Sequence, residues 1–86
     1  MSHKKQTWFV YMLRCSDASL YTGITTDVQR RVHEHNHTQR AARYTRARRP
    51  VKLVYQESLD SRPAAARREW EIRQLDRNAK MRLLQK

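Results

Sequence analysis

With 86 residues, the chain has material for one small core burying roughly 60–65% of its unfolded surface, and no room for a second. It carries 19 Lys+Arg against 8 Asp+Glu, a net charge of +11, and 14 of the cations are arginine, whose planar fork grips phosphate at two points; the expected partner is a polyanion. A single cysteine, Cys15, excludes an internal disulfide, and no apolar run approaches the roughly 20 residues of a membrane span, so nucleic acid is favoured over a membrane.

Met1 to Gln6 reads as a loose polar tail without a signal-like apolar stretch, so a cytoplasmic location and a single domain over residues 7–86 are expected. From Thr7 to Arg14 the run Trp8-Phe9-Val10-Tyr11-Met12-Leu13 is apolar on both faces, as in a central strand covered on each side. Ser16 to Ser19 signals a turn, and Leu20 to Thr25 resumes strand character. Pairing Cys15 with Ser19 sets Leu13 opposite Tyr21 and Tyr11 opposite Gly23, which puts both tyrosines on one face. Thr26 to Gln29 has the form of a capping box, predicting a helix from Asp27 to about Asn36 with Thr26 as its N-cap. Residues 37–50 lack apolar periodicity and are expected to be an irregular basic loop. Val51 to Glu57 alternates Val51, Leu53 and Tyr55 against Lys52, Val54 and Gln56, as a third strand does. Ser61 should cap a second helix, with Pro63 in its first turn, and Asp76 a third ending near Lys86. The expected class is α+β: a three-stranded antiparallel sheet flanked by helices, in the order β-β-α-β-α-α.

Three residues stand out chemically. Gly23, the only glycine, lies inside a strand, where it marks either a bulge or the close approach of another group. Arg31 shares a helical row with Asp27 and His35, either as an exposed ion pair with Asp27 or as a cation flanking the buried face. Glu69 sits beside the apolar stripe of the second helix, four after Ala65 and three before Ile72. A carboxylate there is an ion-pair member or a ligand for a hard cation.

In combination, Val10-Tyr11 followed by Tyr21-Thr22-Gly23, then Asp27-x-x-x-Arg31-x-x-x-His35, then Glu69, resembles the GIY-YIG nuclease family. The stretch from Tyr44 to Tyr55 is similar to the link into the third strand of its short, stand-alone bacterial YhbQ-like subgroup, and the likeness runs from Trp8 to about Leu84. Phe9 departs from the first motif's glycine, Thr22 from the second motif's isoleucine, and residues 37–43 lack the subgroup's usual glycines.

The resemblance implies metal-dependent, endonuclease-type hydrolysis of nucleic-acid phosphodiester bonds, DNA before RNA. It assigns Tyr11 as general base, Tyr21 as orienter of water or phosphate, Arg31 as stabiliser of the transition state, and His35 as a contact to the backbone. Gly23 is structural at the site, and Glu69 holds a divalent metal, Mg²⁺ or Mn²⁺. Arg40, Arg43, Arg46, Arg48 and Arg49 form the expected nucleic-acid-binding loop, and a protein partner is a possible source of specificity. His33-Glu34-His35-Asn36-His37 matches the literal H-E-x-x-H zinc pattern, but it falls where the helix should fray, so phosphate-contacting or solvated histidines are the better reading. The main rival is a non-catalytic basic binding module with Trp8 and Tyr44 exposed to stack on bases. A small basic RNA-associated protein is the third reading, on charge alone.

Overall fold

The computed structural model describes residues 6–85; residues 1–5, which hold most of the expected tail, and Lys86 lie outside them. Strand β1 (Trp8–Arg14) is flanked by β2 (Leu20–Thr25) and β3 (Lys52–Leu59) in an antiparallel sheet of order β2-β1-β3. Helices α1 (Val28–His37) and α2 (Arg43–Arg46) lie between β2 and β3, and α3 (Arg62–Gln74) and α4 (Arg77–Leu84) follow β3. The order β-β-α-β-α-α is as expected, with one extra helical turn, α2, inside the segment expected to be irregular.

β1 is central because both its hydrogen-bonding edges are paired and both its faces are covered. Alternation sends Val10 and Met12 to one face, where they pack with Ala65 and Ile72 of α3, all four fully buried. Tyr11 and Leu13 face the other way, against Cys15, Val51, Tyr21 and Val32. Burying a side chain the size of Ile72 contributes about 1.5–3 kcal/mol. The hairpin register is the expected one, with Tyr11 opposite Gly23 and Leu13 opposite Tyr21. Its turn is closed by Cys15 N–H donating to the Ser19 carbonyl at 2.9 Å and by the Asp17 carboxylate accepting from Ser19 N–H at 3.0 Å.

β3 departs from simple alternation. Met12 pairs with Tyr55 but Leu13 with Leu53, so Val54 is an extra, bulged residue. The expected common face of Val51, Leu53 and Tyr55 is therefore broken. Val51 packs with Tyr11, Val54 and Tyr55 both reach the Val10–Met12 cluster, and Leu53 is left exposed.

The starts of α1, α3 and α4 are set by side-chain acceptors. Ser61 caps α3 through Ala64 N–H, with Pro63 in the first turn, and Asp76 caps α4 through Ala79 N–H. For α1 the cap is Asp27, accepting from Arg30 N–H at 3.0 Å, and not Thr26. The cause is one residue upstream: the Thr25 hydroxyl accepts from Asp27 N–H at 3.1 Å, which turns the chain out of β2 and leaves Asp27 at the boundary. Spent as a cap, Asp27 is not the ion-pair partner of Arg31.

Candidate active site

β1, β2, α1 and α3 converge on the Tyr11 hydroxyl. The Tyr11 ring lies across β2 at Gly23, where a Cβ would fall 2.6 Å from the hydroxyl oxygen and 2.7 Å from Cζ. No bulge sits at this glycine, and no positive φ needs it. It is there because the ring occupies the space of a side chain.

Behind the ring lies His35, fully buried, with its Nε2 2.8 Å from the Tyr11 hydroxyl and its Nδ1 2.7 Å from the Thr45 hydroxyl. The Thr45 hydroxyl lies 3.0 Å from the Ala42 carbonyl, which only its single proton can bridge. With the Thr45 proton on the Ala42 carbonyl, Nδ1 donates to Thr45 and Nε2 accepts from Tyr11; Ala42 N–H, 3.4 Å from Nδ1, is the longer rival contact to that nitrogen. Burial, reinforced by the Arg31 charge, pushes the His35 pKa down to about 4, so the ring is neutral at pH 7. Enclosed in this way, His35 meets Tyr11 and not a phosphodiester backbone, contrary to its expected role. His33 and His37 lie on the exposed side of α1 with ring centroids 4.8 Å apart, so the three histidines are not one cluster. Among the described residues, no group of three or more His, Cys, Asp or Glu could hold a metal ion.

Burial also raises the Tyr11 pKa above its ordinary value, and Tyr21 adds to this, while the Arg31 charge opposes both. The Arg31 guanidinium is held in place from one side: its Nη1 donates to Glu34 at 3.0 Å and to the Arg40 carbonyl at 2.8 Å. Arg31 is thus a half-buried cation within reach of the Tyr11 hydroxyl, paired with Glu34 rather than Asp27. Tyr21 joins Tyr11 and His35 in an aromatic triangle with centroid separations of 6.4, 5.9 and 5.3 Å.

Glu69, on α3, lies close enough for its charge to raise the pKa of both Tyr11 and Tyr21. One carboxylate oxygen forms an ion pair with Arg73 Nη2 at 2.8 Å, and that same nitrogen donates to the Thr22 carbonyl at 3.0 Å. Glu69 Oε1 has no partner among the described residues. A lone carboxylate with one free oxygen suits a hard cation that keeps most of its water, and would not by itself hold zinc.

The arginines of the basic loop divide by exposure and contacts. Arg40, Arg43 and Arg46 are exposed. Arg49 is not a free phosphate contact: it turns back onto the C-terminal end of α1 and donates to the carbonyls of His35 and Thr38 and, at 3.5 Å, to that of Glu34, which Thr38 N–H already takes. Arg48 pairs with Asp17 at 3.0 Å and lies over the Tyr44 ring, 3.8 Å from its centroid. Of the aromatics expected to be exposed, Tyr44 is, but Trp8 packs half-buried against the core; the exposed tryptophan is Trp70. Sequence reasoning missed Thr45 and Arg73 as site residues. Thr45 offered no periodic signal, and Arg73 carried only its position one turn after Glu69.

The profile of the GIY-YIG catalytic domain family matches residues 7–82 of the chain. A UPF0213 protein of Desulfotalea psychrophila is 50% identical over 80 residues, covering 93% of this chain and 73% of its own length. A UPF0213 protein of Staphylococcus aureus is 51% identical over 76 residues, covering 88% and 92%. The solution NMR structure of a UPF0213 protein from Bacillus halodurans superposes with a TM-score of 0.59 at 42% identity, over 92% of this chain and 83% of that one. Among the described residues, no helix is long and apolar enough to cross a membrane.

Proposed function

Because the chain belongs to the GIY-YIG catalytic domain family, we propose that it is a metal-dependent endonuclease-type phosphodiesterase acting on nucleic acid, DNA in preference to RNA. One observation carries this reading: the buried Tyr11 hydroxyl bonds His35, while Arg31 and Glu69 both bear on it from other elements. A surface that only binds phosphate gains nothing from a buried tyrosine–histidine pair or from a carboxylate beside it.

Tyr11 serves as the general base. Alone it is poorly suited, because its pKa lies above that of free tyrosine; His35 supplies the remedy. As Tyr11 takes a proton from the attacking water, its own proton passes along the 2.8 Å bond to Nε2 of neutral His35. The phenolate is therefore never left bare in a buried site. An incoming phosphate offsets part of the Arg31 charge, which with burial and the Arg49 charge holds the His35 pKa down, so substrate binding itself primes the relay. Arg31, with Nη1 fixed, offers its remaining N–H groups to the non-bridging oxygens as charge develops. Tyr21 orients the water or the phosphate. Glu69 would hold a Mg²⁺ or Mn²⁺ ion, which when bound would polarise a phosphate oxygen and stabilise the leaving group. Arg40, Arg43 and Arg46 attract the backbone by charge.

The Arg73–Glu69 ion pair favours one second reading: a non-catalytic nucleic-acid-binding module in which Glu69 is only structural. A cleavage screen with Mg²⁺ or Mn²⁺ against duplex, single-stranded and branched DNA and RNA tests the enzyme, with Glu69→Gln alongside. The enzyme reading expects wild-type cleavage, none in the variant, and a melting temperature that Mg²⁺ raises only in the wild type. A Glu69→Gln protein that still cuts ends the metal role of Glu69, and a wild type that binds every substrate and cuts none leaves the binding module.

A further inference from the structure

Beside the reaction centre, on the α3–α4 side, lies a cleft of about 290 Å³ lined by Leu20, Tyr21, Thr22, Tyr44, Arg73 and Lys80. We propose that this cleft is a subsite for one unstacked nucleotide of the bound strand, with the base against Tyr44 and Tyr21 and the phosphate between Arg73 and Lys80. The proposal rests on the nuclease reading and specifies how the strand is seated beside the scissile bond.

Four observations support it. The cleft is at the lower end of the roughly 300–1,000 Å³ typical of small-molecule sites, a fit for one nucleotide and not for a duplex. Its aromatic wall is preformed. Arg48 backs the Tyr44 ring at 3.8 Å while anchored to Asp17 and to the Tyr44 carbonyl, both at 3.0 Å, so the ring is held without a ligand. The rings of Tyr44 and Tyr21 are nearly parallel, 24° apart, but their centroids are 6.1 Å apart, well beyond the roughly 3.5–4 Å of full overlap. They form a step, on which a flat base finds open ring surface.

The charge at the opposite side is anion-seeking. Lys80 makes no ion pair among the described residues, and the Arg73 side chain stays about half exposed although Nη2 is engaged. Finally, the cleft is continuous with the chemistry: Tyr21 is its wall and also touches His35, and Arg73 is its floor and also holds Glu69. A nucleotide lodged there would share Tyr21 and Arg73 with the surroundings of a phosphate at Tyr11. A base stacked within a duplex has no free face to offer Tyr44, so the nucleotide taken is an unstacked one.

The test is binding in EDTA, where no cleavage occurs, followed by fluorescence anisotropy. A labelled thymidine oligonucleotide is compared with a fully abasic strand of the same length and charge. The wild type should prefer the strand with bases by at least about five-fold, as base–aromatic stacking gives. Tyr44→Ala should lose at least about five-fold of that preference, Tyr44→Phe should keep it, and Lys80→Ala should lower the salt slope by about one on both strands. Melting temperatures confirm that each variant is folded. A Tyr44→Ala protein that retains the wild-type preference, or a preference that vanishes in Trp70→Ala instead, overturns the subsite. A protein that shows the preference but never cuts would sink the nuclease reading and leave the subsite standing.

Discussion

The two faces of β1 are built from adjacent residues and do different work. On one, Val10 and Met12 meet Ala65 and Ile72, with no polar atom to satisfy. On the other, Tyr11 is buried as deeply, but its hydroxyl begins a chain through His35 and Thr45 to the Ala42 carbonyl, and each link has its partner. A buried polar network is no better for stability than well-packed hydrocarbon, and it becomes costly once any member is removed. In the proposed nuclease its presence on one face only, beside Arg31 and Glu69, would put the chemistry there and leave the other face to hold the strand still.

The sharpest way to break this contrast is to cut each face separately. Tyr11→Phe should lower the cleavage rate by about 10²–10⁴-fold, the usual worth of a positioned base, and cost only about 1–3 kcal/mol of stability through the orphaned His35 nitrogen. Ile72→Ala should do the reverse. It should lose about 2–5 kcal/mol to the cavity it leaves, with the rate per folded molecule unchanged. Kinetics normalised to the folded fraction, alongside urea denaturation, read both. A Tyr11→Phe protein that cuts at the wild-type rate passes the base role to Tyr21 or to water held at Glu69.

Gly23→Ala sharpens the comparison from the neighbouring strand. The new methyl would lie 2.6 Å from the Tyr11 oxygen, and that ring is hemmed in by His35, so the tyrosine must shift. The rate should fall by at least about 10²-fold, as a misplacement of roughly 1 Å does, while alanine's better strand entropy partly offsets the strain in stability. Were the rate to survive, the tight fit of Tyr11 against β2 would not be catalytic geometry.

Much of this arrangement was legible in the sequence. Period-two alternation and the Ser16–Ser19 turn were enough to set Tyr11 against Gly23 and to bring the two tyrosines to one face. Ser61 and Asp76 announced the starts of α3 and α4, because capping is a local matter settled within three residues. What escaped was settled at a distance or by near-equal rivals. Thr25, Thr26 and Asp27 all have capping side chains, and only the folded exit from β2 decides among them. The Val54 bulge depends on pairing with Met12 and Leu13, forty residues upstream. Arg49 looked like one more phosphate contact until α1 was in place to present its carbonyls. Thr45 becomes a site residue only because α2 delivers it under His35.

A pH titration probes the polar face without any substitution in it. His35 has a folded pKa of about 4 against 6.5 for the free side chain, so the folded state binds its proton less readily than the unfolded state. The stabilisation is therefore complete above about pH 6.5 and is lost as pH falls toward 4, on the order of 3 kcal/mol in all. His35→Gln removes this dependence, and the gap in stability between wild type and variant should narrow steadily from pH 7 to pH 4. A constant gap would mean that His35 titrates alike in the folded and unfolded states, so that burial does not hold the ring neutral as pH falls.

The smallest effect separates the arginines that build the fold from those that meet the ligand. Arg49 satisfies the last carbonyls of α1, so Arg49→Ala should cost about 1–3 kcal/mol of stability, and denaturation should show it without any nucleic acid present. Arg46 is exposed, and its replacement should leave stability within about 0.5 kcal/mol. Its loss should appear instead as a log–log salt slope shallower by about one for binding to any sequence. Because Arg49 also fixes the end of α1 that carries His35, Arg49→Ala should slow cleavage indirectly, and Arg49→Lys should recover little, since an ammonium cannot span three carbonyls as a guanidinium fork does. If Arg49→Ala were instead fully stable and merely weaker in binding, the guanidinium would belong to the phosphate-facing surface after all, and the end of α1 would have to be held by Asn36, whose amide clamps the backbone of Val51 at 2.7 and 3.0 Å.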